Sequence, residues 1–231
     1  MPDPLQVIYE DNHLLVVNKP ALLATMGVST GETSLVSLAK EYLKQKYQKP
    51  GNVYLGVVSR LDSFVSGVMV LARTSKAAAR LNEQFRNATV EKMYWAIVPN
   101  SLPSERGNLK NWLVKDDRQR RMITVEKNHA RFDEAKEARL KYKVIGKHLD
   151  QYLVEIRLET GRKHQIRVQF EAIGCPIAGD RKYNSPASFR SGIALHSRRL
   201  EIAHPTSKKR MSFEALPGDW WQLGRFGELS N

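Results

Sequence analysis

Runs of consecutive apolar residues along this chain predict its strands. The clearest of them lie at residues 14–17, 53–58, 68–71 and 94–98 and are rich in Val, Leu or Ile. Between residues 152 and 158 apolar and polar side chains alternate, which indicates a strand with one buried face. Short strands therefore dominate the predicted structure.

Apolar residues at helical spacing predict three helices. The first covers residues 35–43 behind the N-cap candidate Ser34, and the second follows Thr74. The third begins near Arg162 and ends at Gly174, a residue suited to the left-handed conformation that closes many helices. Helical and extended segments alternate over most of the chain.

This order of elements predicts the α+β class, with a mixed, largely antiparallel sheet and flanking helices. The polar stretch 99–107 and the charged run 115–121 are interpreted as a loop or small insertion. One domain over residues 1–231 suits the length, and two packed lobes are the alternative.

Composition narrows the class of protein. Apolar residues make up 42% of the chain and charged residues 26%, and no apolar run is long enough to span a membrane, so we expect a folded protein of the cytoplasm. Cys175 is the single cysteine, which excludes an internal disulfide and a cysteine-rich zinc site.

The net charge of +13 points to a polyanionic partner. RNA, DNA and an anionic membrane surface all attract such a protein, whereas a basic surface kept for solubility is the alternative. Four basic side chains crowd the start of the third helix with only Glu171 to balance them, and an anion nearby would reduce their repulsion. They are Arg162, Lys163, His164 and Arg167.

One polar loop is a candidate for chemistry. Residues 59–67 lie between two apolar runs and carry Asp62, and loops held between strands often bear catalytic groups. Taken alone, Asp62 equally fits a turn carboxylate that accepts backbone N–H groups before Gly67. His164 and His196 lack short-spaced companions, and no phosphate-binding glycine motif occurs, so neither a metal nor a cofactor is predicted.

Several separated segments, taken in order, resemble the RluA-type family of pseudouridine synthases. They are Val17-Asn18-Lys19-Pro20, Ser59-Arg60-Leu61-Asp62 with Ser66-Gly67, Lys92-Met93-Tyr94, the stretch from Thr160 to Arg167, and Leu195-His196 with His204-Pro205. The resemblance implies that family's fold with a central active-site cleft, and a cofactor-free isomerisation of uridine in structured ribosomal or transfer RNA. It also implies a monomer without a separate N-terminal RNA-binding module.

Carried over residue by residue, the resemblance makes Asp62 the catalytic carboxylate, Tyr94 the ring beside the target base and Arg167 the cation paired with Asp62. Arg60 resembles the position that fills the gap left by the extruded nucleotide. The remaining substrate contacts that the motifs imply are Ile166, Arg162, His164 and Ser59.

These residue types suit the chemistry. Isomerisation breaks the glycosidic bond, turns the uracil and rejoins it through carbon. Asp62 would attack the ribose C1′ or the uracil C6, or stabilise an intermediate formed by loss of a ribose proton, and the sequence leaves these three routes open. Arg167 would keep Asp62 ionised, and Tyr94 offers an aromatic face and a phenol for proton transfer from C5.

Two positions depart from the family pattern. Ser59 stands where the family usually has histidine, and Val65 where it usually has threonine or a similar small polar residue. We expect Ser59 to hydrogen-bond the loop or a phosphate. The departures leave two rival functions: an RNA-binding protein that has lost catalysis, and a glycosylase that releases the base.

Overall fold

The computed structural model of the chain describes residues 5–29, 31–99 and 101–227. In chain order its strands are β1 (Gln6–Glu10), β2 (Leu14–Lys19), β3 (Gly56–Val57), β4 (Ser66–Ala72), β5 (Glu91–Val98), β6 (Arg106–Asp116), β7 (Arg121–Val125), β8 (Lys136–His148), β9 (Gln151–Leu158), β10 (Leu195–Ala203) and β11 (Arg210–Glu214). The α-helices are α1 (Leu35–Lys46), α2 (Ser75–Arg86) and α3 (Gln165–Ala172). Short 3₁₀ helices lie at Phe132–Glu134, Arg181–Tyr183, Asp219–Trp221 and Leu223–Phe226. This content confirms the predicted α+β class.

Backbone contacts divide the chain into two compact units. The first unit comprises the described residues of 1–91 and 197–217, and the second comprises those of 92–196 and 218–231. The assignment of residues 1–231 to a single catalytic domain stays a prediction.

In the first unit the central strands are buried on both faces. β2 pairs antiparallel with β4, and Lys19 at the end of β2 lies opposite Gly67. One face of this pair, with Leu14, packs against α2, and the other face, with Leu15, packs against α1. Because helices cover both faces, β2 reads as a continuous apolar run instead of an alternating one.

The helices of the first unit begin where the sequence predicts. The Ser34 hydroxyl accepts the Ser37 N–H, and the Ser37 hydroxyl in return accepts the Ser34 N–H at 2.8 Å, which forms a capping box. The Thr74 hydroxyl accepts the Ala77 N–H in the same way at the start of α2. Local capping chemistry therefore fixes both boundaries.

The second unit is built on an antiparallel sheet in the order β5-β9-β8-β6-β7. Helix α3 packs on this sheet through Val168, which shares a buried cluster with Leu113, Ala138 and Tyr183. α3 thereby holds the residues at its start against a rigid sheet.

Two predictions of local structure are wrong, and the loop predictions hold only in part. Residues 101–105 and 117–120 lie in a loop and a turn as predicted, but β6 takes up residues 106, 107, 115 and 116 and β7 begins at residue 121; residue 100 lies outside the described residues. The strand predicted at 53–58 shrinks to β3. The third helix begins at Gln165 and not near Arg162, because His164 adopts a left-handed conformation (φ 53°).

Candidate functional site

Asp62 lies in the connection between β3 and β4, residues 58–65, called the Asp62 loop below. Its side chain is half-buried, Ser59 is half-buried and Arg60 is exposed. The Val65 N–H donates to the Asp62 carbonyl at 3.0 Å and closes a tight turn that begins at Asp62. The loop is thus a defined structure with an accessible carboxylate.

A buried lysine holds the backbone of this loop by a hydrogen bond. The Lys19 ammonium is fully buried and donates to the carbonyl oxygens of Pro20 and Leu23 at 2.8 Å and of Ser63 at 3.4 Å. Burial lowers the pKa of Lys19 to about 7, while the negative charge of Asp62 acts to raise it. Lys19 therefore lies within electrostatic reach of the candidate catalytic group.

A second side chain from the same segment completes the attachment. The Thr25 hydroxyl donates to the Leu61 carbonyl at 2.8 Å, and Thr25 is itself buried. The backbone on both sides of Asp62 is therefore held by residues 19–25. Lys19 belongs to one of the sequence motifs, but no role was predicted for it; the signal for such a role is a lone cation at the end of an apolar strand.

The end of the Asp62 loop requires glycine. Gly67 has a φ of +119°, and a Cβ at this position would lie 2.3 Å from the backbone oxygen of Ser197 on β10. Only glycine permits this approach of two backbones. The chain leaves the loop along β4 in one fixed direction.

In the second unit Tyr94 projects from β5 opposite Ile156 of β9, and its side chain is half-buried. Two residues earlier, Lys92 is half-buried and donates weakly to the Thr160 carbonyl at 3.5 Å. Burial lowers the pKa of Lys92, and the positive charge of Arg162 lowers it further. Tyr94 thus stands beside a segment rich in positive charge.

Arg167 forms a buried ion pair that the sequence did not predict. Its Nε and Nη2 donate to the two carboxylate oxygens of Asp180 at 2.6 and 2.8 Å, and the two side chains are 4% and 1% exposed. Ile166 beside it is buried as well. The predicted pairing of Arg167 with Asp62 stays a prediction, and Asp180 is an additional partner.

The residues before α3 are tied to the sheet by hydrogen bonds. The Gln165 side-chain oxygen accepts the Arg162 N–H at 3.0 Å, and Arg162 Nε donates to the Glu137 carbonyl at 3.0 Å. His164 Nδ1 lies 2.7 Å from the Tyr183 hydroxyl. The motif at residues 160–167 is therefore structured before any substrate binds.

The predicted site residues fall into two groups. Ser59, Arg60 and Asp62 share one loop of the first unit. The other predicted site residues belong to the second unit: Tyr94, Arg162, His164, Ile166 and Arg167. Within the described ranges no cluster of three or more metal-binding side chains occurs. The helices of those ranges include none that is long and apolar enough to cross a membrane.

Comparisons with known proteins agree on one family. The family model described as RNA pseudouridylate synthase matches residues 13–172. Ribosomal large subunit pseudouridine synthase D of Zymomonas mobilis is 32% identical over 99% of this chain and 74% of its own length. The RNA pseudouridine synthase YlyB of Bacillus subtilis is 34% identical over 96% of this chain and 72% of its own.

A solved structure agrees with these matches. Human RNA Pseudouridylate Synthase Domain Containing 4 superposes with a TM-score of 0.80 and is 26% identical, covering 98% of this chain and 95% of the human one.

Proposed function

The chain belongs to the RNA pseudouridylate synthase family, and we propose that it isomerises a uridine of ribosomal RNA with Asp62 as the reacting carboxylate. The observation that carries the proposal is the Asp62 loop itself. Lys19 and Thr25 hold its backbone at Ser63 and Leu61, one residue to either side of a half-buried acid. A nucleophile needs this combination of fixed position and access to substrate.

The reaction leaves the composition of the nucleotide unchanged. The N1–C1′ bond of uridine breaks, the uracil turns within the pocket and a C5–C1′ bond forms. The proton on C5 departs while N1 gains a proton. Asp62 serves this sequence by attacking C1′ or C6, or by stabilising the intermediate that results from loss of a ribose proton. All three routes require the carboxylate in its ionised form.

The second unit supplies the groups that act on the base. Tyr94 stacks against the uracil and its phenol takes part in removing the C5 proton. Arg167 supports the ionised form of Asp62, and the Asp180 pair fixes the guanidinium plane. Ile166 supplies an apolar wall.

Access to the uridine requires that it leave the stack, at a cost of a few kcal/mol. Arg60 is exposed on the Asp62 loop and suits the gap that the nucleotide leaves. Ser59, Arg162 and His164 contact the neighbouring strand, and the net charge of +13 strengthens binding. Together these contacts offset the cost of extrusion.

Ribosomal RNA of the large subunit is the substrate to test first. Relatives with a substrate in their names include the ribosomal large subunit pseudouridine synthases of Zymomonas mobilis and Neisseria meningitidis. Transfer RNA is the second substrate class to test, since the sequence motifs do not distinguish the two.

The experiment compares wild type, Asp62→Asn and Asp150→Asn on ribosomal RNA that lacks pseudouridine. Asp150 is exposed in the turn between β8 and β9 and serves as a matched control. We expect new pseudouridine with wild type and with the control, and none with Asp62→Asn, although all three bind RNA with equal affinity. Activity of Asp62→Asn would overturn the assignment of Asp62. Tight binding without any product from wild type would favour the RNA-binding rival, and free uracil would indicate a glycosylase.

A further inference from the structure

A basic groove lies on the second unit, formed by the turn between β6 and β7, the residues before α3 and the 3₁₀ helix Arg181–Tyr183. Its volume is about 720 Å³. The residues that line it are Lys115, Asp117, Gln119, Arg120, Lys163, His164 and Lys182. Four cations therefore face one carboxylate across a single open depression.

The positive charge of the basic groove is largely unneutralised. Asp117 forms an ion pair with Lys115. For Arg120, Lys163 and Lys182 the described part of the chain supplies no acidic partner, and all three side chains are exposed. Like charges held around one depression repel each other, and an anion bound between them relieves that repulsion.

Some cations elsewhere on the same unit are paired with carboxylates. On β8 and β9, Lys141 pairs with Glu159 at 3.1 Å and Arg157 pairs with Glu155 at 3.0 Å. Alternating charge of this kind suits a solvated sheet face. The basic groove instead gathers three exposed cations around one depression, without an acidic partner among the described residues.

One buried side chain makes the walls of the basic groove rigid. Tyr183 is fully buried, and its hydroxyl accepts the Met122 N–H at 3.1 Å and lies 2.7 Å from His164 Nδ1. Arg121 adds a bond to the Lys182 carbonyl at 3.3 Å. β7, the start of α3 and the 3₁₀ helix are therefore joined before any ligand arrives, which reduces the entropy lost on binding.

We propose that the basic groove binds the phosphate backbone of the substrate RNA. The open groove exceeds the size of one phosphate group and places separate cations along its length, which suits a strand better than a single anion. His164 lines the groove and also belongs to the motif at residues 160–167. The inference rests on the proposed function only in taking RNA as the ligand.

Charge reversal in the basic groove tests the proposal. The test variant carries Lys163→Glu and Lys182→Glu together. Lys127→Glu is the control for a change of charge outside the groove, and both are compared with wild type. Lys127 is exposed in the turn after β7 and does not line the groove. Binding is measured by fluorescence anisotropy with a labelled fragment of ribosomal RNA at several salt concentrations, in an Asp62→Asn background so that no turnover occurs.

We expect the double variant to bind at least tenfold more weakly than wild type. The slope of log affinity against log salt should fall by about one for each phosphate contact that is lost. Lys127→Glu should change affinity by less than threefold. Equal affinity and an equal salt slope for the double variant and the control would overturn the proposal. Because the assay measures binding alone, its result is independent of whether Asp62 is the catalyst.

Discussion

The buried pair of Arg167 and Asp180 gives the sharpest test of the second unit. Replacing Arg167 with Met leaves the Asp180 carboxylate 1% exposed and without the guanidinium that donates two hydrogen bonds at 2.6 and 2.8 Å. Removing one partner of such a pair costs about 3–5 kcal/mol, because an uncompensated charge stays buried. Asp180→Asn keeps the volume but removes the charge, and we expect a loss of similar size.

A double-mutant cycle separates this pair from simple packing effects. The variant with both Arg167→Met and Asp180→Asn carries neither charge. Its loss in the free energy of unfolding should therefore be smaller than the sum of the two single losses by at least about 2 kcal/mol. The free energy of unfolding of all four proteins is measured in urea, with tryptophan fluorescence as the signal. Circular dichroism of the same samples checks that both signals report one transition. Single losses that add to within about 0.5 kcal/mol would refute the reasoning, since independent sites behave in that way.

Two further predictions concern the first unit. Gly67→Ala should unfold the protein or abolish soluble expression, because its Cβ would lie 2.3 Å from the Ser197 backbone oxygen. The control is Gly174→Ala, at a positive φ with open space around it. It should lower the free energy of unfolding by only about 1–2 kcal/mol, as measured by thermal unfolding. The second prediction is that the wild-type free energy of unfolding rises between pH 7 and 10 relative to Lys19→Met. The pKa of Lys19 is about 7 in the folded state and near 10.5 when unfolded, so the unfolded chain binds more protons in that window; parallel pH profiles for the two proteins would contradict it.

Local chemistry explains which elements the sequence predicts well. α1 and α2 begin at Ser34 and Thr74 as predicted, since a capping hydroxyl acts only on its own first turn. β2 and β4 are evident as apolar runs because helices bury both of their faces. Signals of this kind need no knowledge of the rest of the fold.

Elements that depend on distant partners were missed. β6 has an exposed face of charged and polar residues and is defined by its pairing with β7 and β8, so its sequence alone did not predict a strand. Neither the attachment of Lys19 to Ser63 nor the pairing of Arg167 with Asp180 can be found from a window of neighbouring residues. A buried cation on an apolar element nevertheless demands a partner, and that demand is visible in the sequence.

The two buried cations suggest how the candidate site combines stability with reactivity. Lys19 and Arg167 both carry charge into an apolar interior, but Lys19 bonds backbone carbonyls, whereas Arg167 bonds a carboxylate. The carbonyl oxygens carry no net charge, so the field of the Lys19 ammonium is not cancelled and extends to Asp62. Asp180 fixes the orientation of the Arg167 guanidinium, which the proposed support of the ionised Asp62 requires. On this basis, Lys19→Met should alter the pH profile of isomerisation, because Lys19 has a pKa of about 7 in the folded protein, and Arg167→Lys should lower turnover through lost geometry.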